Sequence, residues 1–335
     1  MKCVTCELYL EPTENEWESK AVLNPTAIKE GSIVHLIYRA VKHPNYSCLG
    51  HAKIEDGKLY RHKQPLIVPT EEYEAEGVED PRITKIGDIF YLLYTAWDGK
   101  NARVALATGK SIDKLTKQGI ISPNIPVEKA IGLVISDRYK ENWQSRLELG
   151  EKGLILFDKD AVLLPEKISG KFVMLHRLEP DIQVVYFDSF DELKDDRFWE
   201  EYIRNIEDHV IMRPKYKWEA KRIGAGAVPL KTDYGWLLFY HGVEGEKDER
   251  IYSAGVALFT HNLENVTRLE EPLFRPEFEW EKEGDVNNVV FPEGVVIEDG
   301  MLNIFYGCAD SRIGLAKIKF ESLLEKLGRE GVKGA

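Results

Sequence analysis

Short apolar runs that end in an aromatic or aliphatic residue recur five times along the chain. Each run then turns polar or glycine-rich, and the five cover residues 34–39, 91–95, 172–177, 236–242 and 302–307. The equivalent positions are spaced 56, 81, 65 and 66 residues apart, at Tyr38, Tyr94, Leu175, Tyr240 and Tyr306. The mean spacing is close to one fifth of the 335-residue chain. Such runs are typical of β-strands, and a repeat on this scale predicts stacked or radially arranged β-units.

Turn-forming residues separate these runs, and helical patterning is scarce. The clearest predicted helices are an acidic segment at 191–204, interpreted as an insertion between β-units, and a C-terminal segment at 321–329. The widest spacing, between the second and third runs, predicts extra loops near residues 123–153. We therefore predict a single all-β domain over residues 1–335. It would be a five-bladed β-propeller with four-stranded blades, a short helical insertion and a C-terminal helix.

Charge and hydropathy limit the classes of partner. The net charge of −12 argues against binding to nucleic-acid backbone or to an anionic membrane, so we expect neither partner. No stretch has the length and apolarity of a membrane span, and the N-terminus lacks the apolar core of a signal peptide. These features predict a cytoplasmic protein. The long insertion at 188–210 is a candidate interface for a homo-oligomer.

Cysteine usage gives no metal motif. Cys3 and Cys6 form a lone C-x-x-C, and no second pair completes a zinc site. Near-terminal thiols in a reducing compartment are the simpler interpretation, with a redox or metal role as the alternative. We expect no metal and no cofactor.

The most unusual local sequence is the segment 77–82, in which Glu79 and Asp80 precede Pro81 and Arg82 follows. Proline is expected to push Asp80 into an extended conformation and to stiffen it. A fixed carboxylate beside a cation is suited to proton transfer. The alternative is a turn with a surface salt bridge.

Other charged or glycine-containing segments lie near the predicted strand ends, at 157–167, 175–177, 221–229, 240–242, 287–294 and 306–310. Taken alone, the first is more typical of a solvated loop, and the glycines of 221–229 permit close backbone approach to a ligand. In a propeller these segments converge on the axial cavity, where carboxylates meet cations: Asp80, Asp160 and Asp310 with Lys159, Arg177 and Arg222. Such cations in an acidic protein suggest an anion in a sugar-sized pocket, and arginine suits phosphate.

The ordered motifs resemble glycoside hydrolase family 130, which comprises β-mannoside phosphorylases and related β-mannosidases. The resemblance covers nearly the whole chain, through residues 24–25, 38–40, 77–82, 94–96, 164–167, 175–177, 223–226, 240–242, 288–292 and 306–307. Two departures are expected to alter acceptor contacts. Residues 227–229 stand where the family often has consecutive prolines, and Glu293 stands where a small hydroxyl residue is common.

The resemblance implies a five-bladed propeller and inverting phosphorolysis that releases α-mannose 1-phosphate. Inorganic phosphate is then a co-substrate, and Asp80 aligns with the general acid, which relays its proton through a mannose hydroxyl. The phosphate-binding positions map to Lys159, Arg177, Arg222, His241 and Tyr252, with Lys221 as an alternative to Arg222. The mannose-binding positions map to Asn24, Arg39, Asp160 and Asp310. The expected oligosaccharide substrates are β-1,2-linked manno-oligosaccharides, followed by β-1,4-linked mannosides.

Two other functions stay open. Hydrolytic members of the family lose the phosphate-binding cations and use a carboxylate base to activate water, whereas three cationic positions look retained here. A non-catalytic glycan-binding propeller is the second alternative, and the retention of Asp80 beside the cations argues against it.

Overall fold

Antiparallel strands dominate the structure, a computed structural model that describes residues 5–148, 153–246 and 249–333. The first ten strands are β1 (Thr5–Leu10), β2 (Ala21–Glu30), β3 (Ile33–Lys42), β4 (Tyr46–Glu55), β5 (Lys58–Arg61), β6 (Gly77–Ile86), β7 (Ile89–Trp97), β8 (Ala102–Gly109), β9 (Thr116–Ile120) and β10 (Lys159–Leu163). The others are β11 (Phe172–Arg177), β12 (Ile182–Phe187), β13 (Val210–Met212), β14 (Arg222–Ala225), β15 (Leu230–Thr232), β16 (Gly235–Glu244), β17 (Ile251–Phe259), β18 (Val266–Arg268), β19 (Val290–Glu298), β20 (Met301–Cys308) and β21 (Arg312–Lys319). The prediction of an all-β fold is confirmed.

Within the described residues the strands group into five successive antiparallel units. These are unit 1 (β2–β5), unit 2 (β6–β9), unit 3 (β10–β13), unit 4 (β14–β18) and unit 5 (β19–β21 with β1). The N-terminal strand β1 completes unit 5 by pairing with β21. A single parallel pair, Ser47 with Gly77, joins units 1 and 2 into one sheet. The five apolar runs of the sequence therefore each supply an inner strand of one unit: β3, β7, β11, β16 and β20.

The apolar core lies between neighbouring units. Side chains from adjacent units share a cluster in each case: Ile37 with Leu92, Leu93 with Met174, Leu175 with Leu238, Leu237 with Ile304, and Phe305 with Leu36. The last of these clusters packs unit 5 against unit 1. Each unit thus has two neighbours, which is how strands that are apolar on both faces remove their side chains from water.

The described helices are α1 (Val127–Leu133), α2 (Asp137–Glu148), α3 (Asp196–Arg204), α4 (Glu279–Lys282) and α5 (Phe320–Lys333). None of them combines the length and the apolarity needed to cross a membrane. The expected loops near 123–153 instead contain α1 and α2. Only a narrow stripe of α2 is buried, through Tyr139 and Trp143, so its helical period is weak in the sequence.

The other two predicted helices are present with shifted bounds. The segment 191–204 divides into a 3₁₀ turn at Glu192–Lys194 and α3, which begins after Asp195 accepts a hydrogen bond from the Arg197 N–H. The C-terminal helix α5 is longer than predicted. Cys3 lies outside the described residues.

A buried tyrosine–glutamate pair recurs in four of the five units among the described residues. The hydroxyls donate over 2.6–3.0 Å in the pairs Tyr38–Glu18, Tyr94–Glu74, Tyr240–Glu219 and Tyr306–Glu281. Each glutamate precedes the first strand of its unit, so the pair ties that entry segment to an inner strand. A buried carboxylate needs such partners to offset its desolvation. This pairing explains why four of the five apolar runs contain tyrosine.

Unit 3 replaces this pair with a histidine and an aspartate. The His176 Nδ1 atom lies 3.0 Å from both carboxylate oxygens of Asp158. The strand pairing also shows which residue of unit 3 is equivalent to Tyr38 and Tyr94. Each of these tyrosines lies opposite the point where the register of the first strand of its unit skips, and the residue opposite the same point of β10 is His176. The equivalent position in unit 3 is therefore one residue later than the predicted Leu175.

Candidate active site

A β-bulge interrupts the first strand of units 1, 2 and 3 at an equivalent point. The strand register skips from Leu23 to Thr26, from Glu79 to Arg82 and from Lys159 to Val162. Asn24, Asp80 and Asp160 lie in these bulges with positive φ angles of 49°, 48° and 56°. Asn and Asp tolerate this left-handed conformation better than other non-glycine residues. The bulges explain why short polar side chains recur at these three positions.

The expectation that Pro81 holds Asp80 extended is wrong, because the bulge imposes a φ of 48° on Asp80. A left-handed non-glycine residue costs about 1 kcal/mol or more. Arg82 offsets this cost by donating hydrogen bonds from Nη1 to the carbonyl oxygens of Asp80 and Pro81, at 3.1 and 3.2 Å. Backbone strain of this kind concentrates at functional sites.

The Asp80 carboxylate is buried among donors and cations. Asn24 Nδ2 donates to Oδ1 at 2.8 Å, and Arg39 Nη1 lies 3.7 Å from the same oxygen. Lys159 Nζ lies 3.7 Å from Oδ2. Burial disfavours the ionised form, but Lys159, Arg39 and the Asn24 hydrogen bond outweigh it and lower the pKa of Asp80 to about 2. These contacts keep Asp80 ionised at neutral pH.

Two further carboxylates share the cations around Asp80. Glu79 Oε1 lies 2.6 Å from Arg39 Nη2, and its Oε2 lies 3.8 Å from Lys159 Nζ. Asp310 follows β20 with a φ of 49°. Burial, opposed by Arg39 and reinforced by the charge of Asp80, raises the pKa of Asp310 to about 6. The two aspartates thus have pKa values shifted in opposite directions, as in sites that separate acid and anion roles.

Arg177, at the end of β11, links a second group of site residues. Its Nη1 atom lies 2.7 Å from Asp160 Oδ2 and 3.2 Å from His241 Nε2. Burial and the nearby charges of Arg177 and Arg222 lower the pKa of His241 well below its usual value. His241 is therefore a neutral hydrogen-bonding group at neutral pH.

Gly224 makes room for this second group. A Cβ atom there would lie 2.1 Å from Asp160 Oδ2 and 2.4 Å from His241 Cε1, closer than real contacts allow. The sequence predicted that a glycine in this segment permits close backbone approach to a ligand. In the structure, Gly224 instead approaches side chains of the site itself.

Arg222 and Tyr252 complete the cationic end of the site. Arg222 Nη2 donates to the Tyr252 hydroxyl at 2.7 Å, and Arg222 Nη1 lies 3.5 Å from Glu179 Oε1. Lys221 instead pairs with Glu246 at 2.6 Å on the surface. Of the two alternatives, the structure places Arg222 in the cluster.

Glu179 is a member of the site that the sequence analysis missed. It accepts a hydrogen bond from Arg146 Nη2 at 2.7 Å and lies 3.6 Å from Arg177 Nη2. Burial opposes its ionisation, but Arg146, Arg177 and Arg222 outweigh that effect and lower its pKa. Glu179 stands two residues beyond the end of β11. Extending each motif past the strand end would have found it.

A cavity of about 340 Å³ adjoins this end of the site. Its charged lining residues are Arg146, Glu179, Arg222 and Arg250. Three guanidinium groups against one carboxylate favour an anionic occupant.

The two departures from the family pattern lie in the interior. Glu293 is fully buried and its Oε1 lies 2.5 Å from Arg82 Nη2. Burial raises the pKa of Glu293 well above its usual range. Ala227 is 1% exposed and belongs to the core between units 4 and 5. Both side chains are therefore buried, and the expectation that residues 227–229 and Glu293 alter acceptor contacts stays a prediction.

The ten site residues predicted from the sequence gather at one place. Contacts within 4 Å link Asn24, Arg39, Asp80 and Lys159 in one group, Asp160, Arg177 and His241 in a second, and Arg222 with Tyr252 in a third. Lys159 and Asp160 are neighbours in the chain, Glu179 bridges Arg177 to Arg222, and Asp310 is within electrostatic range of Asp80. A buried carboxylate beside several cations can exchange a proton with a ligand, and the cations can hold an anion.

Comparisons with known proteins assign the chain to a family. The model of glycoside hydrolase family 130, described as beta-1,4-mannooligosaccharide phosphorylase, matches residues 9–329, and the chain belongs to this family. A 1,2-beta-oligomannan phosphorylase of Thermoanaerobacter sp. (strain X514) is 35% identical over 329 residues, with 92% of this chain and 94% of the relative covered. A beta-1,2-mannobiose phosphorylase of the same strain is 36% identical over 328 residues, with the same coverage.

A solved structure supports the same fold. The complex of beta-1,2-mannobiose phosphorylase from Listeria innocua with beta-1,2-mannobiose superposes with a TM-score of 0.72 at 22% identity. The match covers 98% of this chain and 100% of that chain. At this level of identity the likeness concerns the fold.

Proposed function

We propose that this protein is a glycoside phosphorylase that cleaves β-mannosides with inorganic phosphate, and that β-1,2-linked manno-oligosaccharides are its substrates. The observation that carries the proposal is the cationic cradle of Arg177, Arg222 and Lys159 beside the buried Asp80. Membership of family 130 and two relatives named as phosphorylases of β-1,2-mannosides support the substrate class.

In the proposed reaction a phosphate oxygen attacks the anomeric carbon of the mannose while the bond to the glycosidic oxygen breaks on the opposite face. Asp80 donates its proton to a mannose hydroxyl, and the proton of that hydroxyl passes to the leaving oxygen. The acceptor therefore leaves as a neutral alcohol, Asp80 becomes ionised, and α-mannose 1-phosphate forms with inversion. Phosphate arrives as an anion, so the protein needs to orient it and to balance its charge rather than to deprotonate it.

In this proposal, Asp80 takes up a proton when the substrates bind. The ligand-free carboxylate is held ionised by Lys159 and Arg39. A bound phosphate adds negative charge beside these cations, and a bound mannose excludes water from the pocket. Both changes disfavour an ionised carboxylate and raise the pKa of Asp80. Proton uptake is therefore coupled to formation of the complex with both substrates.

Hydrolysis by water would need a carboxylate base on the side from which phosphate attacks. Glu179 is a carboxylate that lies within 4 Å of both Arg177 and Arg222, but Arg146, Arg177 and Arg222 lower its pKa. A carboxylate stabilised in its ionised form by three arginines is a weak proton acceptor. Its surroundings favour phosphorolysis.

The test is incubation with β-1,2-mannobiose in the presence and absence of inorganic phosphate. We expect α-mannose 1-phosphate plus mannose with phosphate and no cleavage without it, with the anomeric configuration read by NMR. Asp80→Asn protein, purified in parallel, controls for contaminating mannosidase. Release of free mannose at the same rate without phosphate would overturn the proposal. β-1,4-mannobiose in the same assay tests the linkage.

We also infer that the five units close into a five-bladed β-propeller with the site on its axis. The shared apolar clusters support this arrangement, because unit 5 packs on unit 1 as the other units pack on their neighbours. The pairing of β1 with β21 supports it too, since it joins the two ends of the chain within one unit. Bulges at equivalent points of β2, β6 and β10 would then direct Asn24, Asp80 and Asp160 to a common centre.

A further inference from the structure

Three histidines and an aspartate form a cluster outside the candidate active site. His35 and His51 lie on adjacent strands of unit 1, His62 follows β5, and Asp113 belongs to the 3₁₀ turn Ile112–Lys114 of unit 2. His35 stands four residues before Arg39 in β3, or about 13 Å along the strand. The cluster therefore calls for an explanation separate from the mannoside chemistry.

The ligand atoms of three of these residues converge. One atom from each of His51, His62 and Asp113 lies within 4.8 Å of the other two. His51 Nδ1 is 3.4 Å from Asp113 Oδ1. Ligands about 2.0 to 2.1 Å from a tetrahedral metal ion are separated by about 3.3 Å, so this pair already has the spacing of two ligands.

His51 provides an independent observation that points to a ligand. Its side chain is fully buried, and its Nδ1 atom has no hydrogen-bond partner within the described residues. A buried polar atom without a partner is uncommon, because leaving it unpaired costs about 1–3 kcal/mol. This nitrogen faces the carboxylate of Asp113, where a cation would satisfy both groups.

We propose that His51, His62 and Asp113 bind a divalent transition-metal ion, and we assign zinc as its identity. Two imidazoles and a carboxylate match zinc in ligand type, and a water molecule would complete the tetrahedron. Lys53 Nζ lies 3.6 Å from Asp113 Oδ2, the other carboxylate oxygen, so Asp113 Oδ1 is the oxygen that faces the site.

Neighbouring groups hold two of the ligands in position. His35 Nδ1 lies 3.0 Å from His51 Nε2, which orients the His51 ring and leaves Nδ1 for the metal. The backbone N–H of His62 donates to the carbonyl oxygen of His51 at 2.9 Å, and the two rings pack at 4.3 Å between centroids. Such outer contacts are what fix ligand orientation in protein metal sites.

The ion would connect two units of the fold. His51 and His62 belong to unit 1, whereas Asp113 belongs to unit 2, so the ion would add a link to the backbone pairing, the apolar packing and the polar contacts that already join these units. Because the metal binds the folded chain, it stabilises that state by mass action. The site is structural, and mannoside cleavage does not depend on it.

The experiment is titration of chelator-treated full-length protein with Zn²⁺, followed by calorimetry and by thermal unfolding. We expect one saturable site per chain and a rise in Tm with zinc concentration. His62→Ala and Asp113→Asn each weaken zinc binding by at least about 10-fold and remove most of the Tm rise. Both positions are outside the core, and circular dichroism checks that the variants fold. His261→Ala, which removes an exposed histidine of unit 4, is the matched control and is expected to bind zinc as the wild type does.

Cys3 and Cys6 offer a competing location, which Co²⁺ absorption distinguishes. Histidine and carboxylate ligation gives visible d–d bands without the near-ultraviolet charge transfer of thiolate ligands. A Cys3→Ser, Cys6→Ser double variant is expected to bind zinc as the wild type does. The proposal is overturned if the wild type binds no zinc, if His62→Ala and Asp113→Asn bind it unchanged, or if the cysteine variant loses it.

Discussion

The two halves of the candidate site differ in how charge is balanced. The half proposed to bind mannose, called the mannose half below, contains Asn24, Arg39, Asp80 and Asp310 with Glu79, so three carboxylates share the charges of Arg39 and the neighbouring Lys159. The half proposed to bind phosphate, called the phosphate half, contains Arg177, Arg222, His241 and Tyr252 with Glu179, where Arg146 adds a third guanidinium group. Lys159 and Asp160, adjacent in β10, connect the halves.

In the proposed reaction, this difference separates the tasks of the two halves. In the mannose half Asp80 stays ionised far into the acid range, whereas Asp310 already takes up a proton near pH 6, as their opposite pKa shifts indicate. In the phosphate half the guanidinium groups outnumber the carboxylates, so a bound anion would balance their charge. The protein thereby keeps proton transfer and anion binding on different side chains, and substitutions should affect them separately.

The largest expected effect is on the mannose half, in Asp80→Asn. The amide cannot donate the proton that leaves with the acceptor, so kcat is expected to fall by about 10²- to 10⁴-fold. Mannobiose binding, measured by calorimetry, should change only a few-fold because the amide keeps the shape of the side chain. Asp188→Asn, at an exposed surface pair, is the control. A variant that keeps the wild-type rate would show that Asp80 is not the acid.

The phosphate half is tested next by Arg222→Gln. Loss of a charge-assisted contact of about 1.5–3 kcal/mol is expected to raise the KM for phosphate by about 10- to 100-fold. The KM for mannobiose should stay within about two-fold, since Arg222 pairs with Tyr252 and Glu179 rather than with the mannose half. Lys221→Gln, one residue away and on the surface, is the matched control. Equal effects on both KM values would contradict the separation of the halves.

Asp310→Asn tests whether burial and the neighbouring carboxylates make the ionised form of Asp310 unfavourable, and the readout is the free energy of unfolding. Since the folded-state pKa is about 6 and the ordinary value is 3.8, ionising Asp310 costs folding free energy that is fully present above pH 6. The substitution should therefore raise the free energy of unfolding at pH 8 by about 1–3 kcal/mol. The gain should vanish as the pH falls from about 6 to about 4. Urea unfolding of the ligand-free protein measures it, with exposed Asp233→Asn as control. A gain that is the same at pH 4 and pH 8 would exclude a titration origin.

The smallest expected effect is that of Glu179→Gln. Removing a negative charge beside Arg177 and Arg222 should lower the KM for phosphate by roughly 2- to 5-fold at low ionic strength, and less at high salt. Steady-state kinetics at two salt concentrations measures this. If the KM for phosphate rises instead, Glu179 serves mainly to position the arginines.

Local signals in the sequence were enough for the strands and for most of the candidate site. The apolar runs located one inner strand in each unit, because burial between neighbouring units demands continuous apolar residues. Motifs at the strand ends located Asp80, Arg177 and Arg222. The same approach missed Glu179, which is distant in sequence from two of its three arginine partners, and it missed α2, whose buried face is narrow.

The three proposed metal ligands could not be found from local sequence signals either. His51, His62 and Asp113 are spread over more than 60 residues without the short spacings that mark zinc motifs. Only the packing of unit 1 on unit 2 brings them together.

By itself, the sequence determined the repeat and the all-β class, because apolar periodicity is a local property. The ten site residues were predicted from strand-end motifs and from the resemblance to family 130. The tertiary structure decided the left-handed conformation of Asp80, the position of Arg222 rather than Lys221 beside Tyr252 and Glu179, and the opposite pKa shifts of Asp80 and Asp310. These depend on distances between residues far apart in the chain, and electrostatic and desolvation energies follow those distances rather than sequence order.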